Sequence, residues 1–158
     1  MNKANARLWV KKLRSGEFPQ AQNALCVLDQ TNGEPVGYCC LGVVEVLAGV
    51  EMVKEYSGCP AIREHARFQD PDGNFSTGSL TKEGQKWLGL DPEKDGNSAP
   101  KIEGLYLRVY NKEGVEVYGE DPDQAYETPA NAIELNDDAQ LTFSQIADVI
   151  EYFWELKE

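Results

Sequence analysis

Two adjacent cysteines, Cys39 and Cys40, open an almost wholly apolar run, Leu41-Gly42-Val43-Val44, directly after a predicted β-hairpin. A thiol at a helix N-terminus is biased toward the thiolate by the helix dipole, and a thiolate is a nucleophile. His65 is the only histidine in the chain, so a cysteine-dependent hydrolase using Cys39 and His65 is one expectation. Cys39 is the better nucleophile because it lies nearer the open end of the helix. Two features weigh against this chemistry. No cysteine-hydrolase signature surrounds the pair, and Cys40 shares a helical stripe with Val43, Val44 and Leu47, where cysteine serves as a small core hydrophobe. His65 is flanked by Arg63, Glu64 and Arg67, a setting expected at the surface.

Zinc would have to draw on Cys39 or Cys40 with Cys59, His65 and Cys26. Structural zinc uses cysteine pairs separated by a short knuckle, which adjacent cysteines cannot form, so neither a metal nor a cofactor is expected. Asp70-Pro71-Asp72-Gly73-Asn74 has the residue types of a calcium loop. Its glycine comes two positions too early, however, and Thr81 stands where the closing glutamate belongs. A turn is expected instead.

A non-catalytic ligand pocket is the third possibility. Arg14-Ser15-Gly16 ends the first helix, Gln20 and Gln22 follow it, and Asn136-Asp137 precede the last helix. Arg14 suits a phosphate or carboxylate, and Asn136 and Asp137 suit ribose hydroxyls or a base edge. Tyr38, Phe18 and Tyr106 are candidates for stacking on a ring. The expected ligand-binding residues are Arg14, Gln20, Tyr38, Asn136 and Asp137. Taken singly, each has a plainer explanation: Arg14 favours its helix C-terminus, and Asn136-Asp137 make a turn.

The elements that position these groups follow from periodicity. Ala6, Trp9, Val10 and Leu13 predict a helix over 4–15, stopped by Gly16. Residues 24–28 and 35–38 read as strands around an Asn32-Gly33 turn, with Pro35 marking an edge or an irregularity. A second helix covers 39–48 with Glu45 as its only charge, so it is expected to be buried on nearly every side. The stretch 51–79 reads as loop-rich. A short helix capped by Thr81 follows at 81–88, with Trp87 and Leu88 pointing inward. Strict alternation predicts a second hairpin, 105–110 with 115–118. Thr142 and Gln145 form a capping box for a final helix whose inner stripe includes Phe143, Ile146, Ile150, Phe153 and Trp154. The expected class is α+β, a single compact domain over 1–158 with three main helices packed against short antiparallel β-hairpins.

Net charge is −12 and unevenly spread. Lys3, Arg7, Lys11, Lys12 and Arg14 meet no acid in the first 16 residues, while residues 120–158 carry eleven acids against Lys157. Such a chain repels phosphate backbones, so direct nucleic-acid binding is not expected. The basic first helix is available to pair with the acidic tail or to bind an anion. No apolar run reaches bilayer length and the N-terminus lacks a signal-peptide core, which predicts no membrane association, a cytoplasmic setting and reduced thiols. Tyr152 or Trp154 is expected to protrude, a feature compatible with a homo-oligomer.

Several motifs occur in a recognisable order. They are Leu13-Arg14-Ser15-Gly16-Glu17-Phe18, Gly37-Tyr38-Cys39-Cys40-Leu41-Gly42-Val43, Trp87-Leu88-Gly89-Leu90, Leu135-Asn136-Asp137, and Thr142-Phe143 through Ile146-Ala147-Asp148-Val149-Ile150-Glu151. The set resembles a widespread group of small tailed-bacteriophage and prophage proteins without assigned function. This chain differs in a longer hairpin before the cysteines and in an insertion at 91–131. The resemblance implies a phage origin and an accessory role in the host cytoplasm. By analogy with other small phage proteins, the expected function is a non-enzymatic binding protein that counters host defence. It would sequester a small anionic nucleotide-like ligand or block a host defence protein. An acidic inhibitor of a host nucleic-acid-binding protein, acting through the 120–138 loop, is a further alternative.

Overall fold

The computed structural model describes residues 1–54, 64–91, 109–110, 116–118, 132–137 and 140–156. Helix α1 (Lys3–Arg14) buries Ala6, Trp9, Val10 and Leu13, the stripe its spacing predicts. Asn2 starts it by accepting from the backbone N–H groups of Ala4 and Asn5. Lys11, Lys12 and Arg14 occupy its last turn, where cations complement the dipole.

Strands β1 (Cys26–Leu28) and β2 (Pro35–Tyr38) pair antiparallel, and the register slips between Val27 and Leu28, the latter facing Pro35. Proline lacks the N–H that regular pairing needs. Helix α2 (Cys40–Ala48) follows, with Cys39 as N-cap and Gly49 closing it at φ 73°. Cys40 through Glu45 are all buried. A Cβ at Gly42 would lie 1.8 Å from the Leu25 carbonyl oxygen, so only glycine lets α2 approach the chain before β1 this closely. Trp9 locks α1 to the same place by donating its indole N–H to the Cys40 carbonyl at 2.9 Å.

The stretch expected to be loop-rich carries a three-stranded antiparallel sheet, ordered β3 (Glu51–Lys54), β4 (Ala66–Gln69), β5 (Phe75–Ser76). Only β4 alternates clearly, burying Ala66 and Phe68, and β5 pairs through two residues. These strands are too short to announce themselves by pattern. The Asp70–Asn74 segment is the turn between β4 and β5, with Gly73 at φ 84° and the Asp70 carboxylate accepting from the Asn74 backbone N–H. Backbone bonds from Leu28 N–H to Glu64 O and from Leu25 N–H to Thr77 O tie the β1 region to this sheet.

Helix α3 (Lys82–Trp87) begins at Thr81 as expected. Strands β6 (Val109–Tyr110) and β7 (Glu116–Tyr118) pair antiparallel, and the rest of the second hairpin lies outside the described residues. Helix α4 (Ala132–Asp137) corrects the reading of Asn136-Asp137 as a plain turn, since they are its last two residues. Helix α5 (Phe143–Phe153) carries the predicted Thr142–Gln145 capping box. It runs antiparallel to α1, so that Arg7 meets Leu156, Trp9 meets Trp154, and Arg14 meets Asp148 and Glu151. The architecture is α+β, with α2 in the centre, packed against α1, α3 and α4. Among the described residues no helix is long and apolar enough to cross a membrane.

Candidate ligand-binding site

The antiparallel docking of α1 on α5 opens a cleft of about 550 Å³. Residues at positions i, i+3, i+4, i+7 and i+8 of α1 and just beyond it (Arg7, Val10, Lys11, Arg14 and Ser15) form one wall, and Glu151 and Leu156 form the other. Three cations thus face one carboxylate on a chain whose net charge is −12. The cleft is broadly open to solvent, and its volume lies within the range of small-molecule sites, roughly 300 to 1,000 Å³. Val10 and Leu156 lie beneath these charges but are themselves only 3% and 4% exposed.

Arg14 grips Glu151 in a bidentate fork, Nη1 and Nη2 each donating at 2.8 Å, and Nη2 also reaches Asp148 at 2.5 Å. The Glu151 hydrogen bond, aided by Asp148 and opposed by partial burial, holds the guanidinium firmly protonated. The expected pairing of the basic first helix with the acidic tail is therefore present at this end of α1. Arg7 donates from Nε to the Leu156 carbonyl at 3.2 Å. Lys11 has no ion-pair partner among the described residues.

Gln20, Asn136 and Asp137 come together in a separate polar latch. Gln20 Nε2 donates to Asn136 Oδ1 at 3.0 Å and to Leu141 O at 2.6 Å, while its Oε1 accepts from Phe143 N–H at 3.1 Å. Asn136 is fully buried and donates to Ala21 O and to Asp137 Oδ1. Asp137 Oδ1 also accepts from the backbone of Asn23, which sits at φ 64°. The latch joins the loop after α1 to both ends of the α4–α5 connection. Its polar atoms find their partners within the chain. Tyr38 is half-buried, with its ring edge-on to Phe18 at 5.4 Å, and burial beside Cys26 raises its phenol pKa. Tyr106 lies outside the described residues.

At the cysteine pair, Cys39 is only 4% exposed and its Sγ accepts from Gly42 N–H, so the thiol acts as the cap of α2. Cys40 points its thiol at the Ala132 carbonyl, 3.2 Å away, and burial pushes its pKa well up. Burial likewise pushes Cys26 up to about 11. His65 is half-buried rather than on the surface, because it forms a β-bridge with Val27. Its Nε2 is enclosed without a hydrogen-bond partner, and among the described residues the bond at Cys39 Sγ comes from Gly42 N–H rather than from His65. Among the described residues no three His, Cys, Asp or Glu side chains converge as metal ligands. Cys59 and most of the 120–138 loop lie outside them.

Sequence reasoning placed Arg14 and Ser15 beside a pocket and offered the basic first helix, Arg7 and Lys11 included, to an anion, but it did not assign Glu151 or Leu156 to a site. The available signal was the spacing of Arg7, Lys11 and Arg14, which lays a cationic stripe along the edge of the apolar stripe of α1.

Comparison with curated proteins and with solved structures gives no match. Residues 1–153 do match a family, and the chain belongs to the family described as Domain of unknown function (DUF8296).

Proposed function

We propose that this is a phage-encoded, non-enzymatic protein that counters host defence by sequestering a small anionic nucleotide-like ligand in the α1–α5 cleft. The observation that carries the reading is the cleft itself, where Arg7, Lys11 and Arg14 converge on one face of α1 above the buried Val10 and Leu156. Cations of this kind bind phosphate oxygens. Sequestration needs affinity without turnover, which agrees with a Cys39 thiol engaged as a helix cap. The phage setting and the location in the host cytoplasm rest on the motif resemblance alone. Within this proposal the Gln20–Asn136 latch has a supporting role, because it fixes the start of α5 and hence one wall of the cleft.

The test is a thermal-shift screen against cyclic and ADP-ribose-type nucleotides, repeated with Lys11→Glu. A stabilising nucleotide that is recovered unchanged after heat release, and whose effect Lys11→Glu abolishes, is the expected result. A nucleotide recovered cleaved would overturn the non-enzymatic reading, and stabilisation untouched by Lys11→Glu would overturn the site.

A further inference from the structure

Arg14 is the strongest anion-binding group lining the cleft, yet its fork is already filled by Glu151, itself a cleft-lining residue, with Asp148 alongside. Replacing one carboxylate by another on a guanidinium gains nothing, because the two make the same bidentate bonds. A phosphate or pyrophosphate end differs. A phosphate end brings up to two charges, a pyrophosphate end more, and either has more acceptor oxygens, so it can hold Arg14 and reach other cations at once. Those cations are in place: Lys11 is without an ion pair, and Arg7 uses only Nε, among the described residues.

We infer that Glu151 and Asp148 are a built-in competitor for Arg14, which admits ligands with a phosphate or pyrophosphate end and rejects single carboxylates. The inference rests on the α1–α5 cleft being the ligand site. The two carboxylates hold the guanidinium in one orientation, reaching from α1 to α5. On binding, the ligand phosphate takes the fork and the two acids turn to water. Asp148 is two-thirds exposed, so its return to solvent is easy, whereas Glu151 is only 21% exposed and is the stronger competitor. Both are therefore specificity-determining residues.

The experiment is calorimetric titration of the full chain with pyrophosphate, ADP and acetate at constant ionic strength, for wild type, Glu151→Gln and Glu155→Gln. Glu155 is an exposed acid that does not contact Arg14, and it controls for the change in net charge. Pyrophosphate and ADP are expected to bind wild type and acetate is not. Glu151→Gln should tighten both phosphate ligands by about fivefold, the upper range for releasing an exposed Arg–carboxylate pair. Glu155→Gln should change them by less than about twofold. Phosphate binding by wild type that Glu151→Gln leaves unchanged or weakens would overturn the competitor while leaving the cleft reading intact. Acetate binding as tight as that of pyrophosphate would overturn the competitor in the same way. Failure of both phosphate ligands to bind either protein would overturn the cleft reading itself. Should Glu151→Gln not fold, Asp148→Asn makes the same test from an exposed position, with tightening of about twofold expected.

Discussion

Glu45 is the single charge of the central helix, completely buried, and it faces the start of α3. One carboxylate oxygen accepts from Thr81 N–H at 2.6 Å and the other from the Thr81 hydroxyl at 2.9 Å. Burial pushes its pKa up to about 7, the Thr81 bonds oppose this, and Asp70 and Glu83 add to it. A folded-state pKa above the ordinary 4.5 means that the folded protein holds this proton more tightly than the unfolded chain. Stability therefore falls as pH rises from about 4.5 to 7, by an order of about 3 kcal/mol in total, and stays at the lower level above that window. Asp29 and Asp70 do not blur the window. For Asp29, hydrogen bonds from Thr31 lower the pKa; for Asp70, burial raises it, but bonds from Asn74 outweigh the rise. Their contributions are lost only in more acidic solution. Urea unfolding of wild type between pH 5 and 8 should show the midpoint falling by roughly 1 to 2 M at constant slope. Glu45→Gln keeps an acceptor for Thr81 N–H and cannot ionise, so its midpoint should be nearly flat across the same range. A wild-type midpoint that is level or rises with pH, or a Glu45→Gln series as steep as wild type, would refute the reasoning.

Gly42→Ala forces a Cβ into the Leu25 carbonyl and should cost more than about 3 kcal/mol. Gly49→Ala, with open space but φ 73°, should cost about 1 kcal/mol, and equal melting temperatures for the two variants would sink the distinction. Gln20→Ala removes three hydrogen bonds of the latch, and a drop in melting temperature of roughly 5 to 10 °C is expected. A drop of less than about 2 °C would show that the latch contributes little. Native alkylation at pH 8, read by mass spectrometry, should modify Cys26, Cys39 and Cys40 only as fast as the protein unfolds. Rapid labelling confined to Cys39 would instead favour a nucleophile.

Where an element announces its own burial, the sequence was readable. The spacing of Ala6, Trp9, Val10 and Leu13 states which face of α1 is inside, and Thr142 with Gln145 states where α5 begins. The β3–β4–β5 sheet was not readable, because strands of two to four residues are held by their partners rather than by their own alternation. Asn136 and Asp137 misled for a related reason. Their side chains favour turns, but here those side chains are tied to Ala21, Gln20 and Asn23, more than 110 residues away, and the backbone is left helical. The cleft is a product of two helices docking, so only the half written on α1 could be seen in advance.

The pairing of α1 with α5 has a consequence for how the chain is made. Arg14 and Glu151 are 137 residues apart in sequence, so the apolar face of the first helix must wait for the last one to be synthesised. At elongation rates of about 5 to 20 residues per second, that interval is on the order of 10 s. Throughout it, Trp9, Val10 and Leu13 lack their final cover and are available to chaperones or to neighbouring nascent chains. The α1–α5 contact also shapes the cleft, so a chain that has not yet reached α5 has no such cleft.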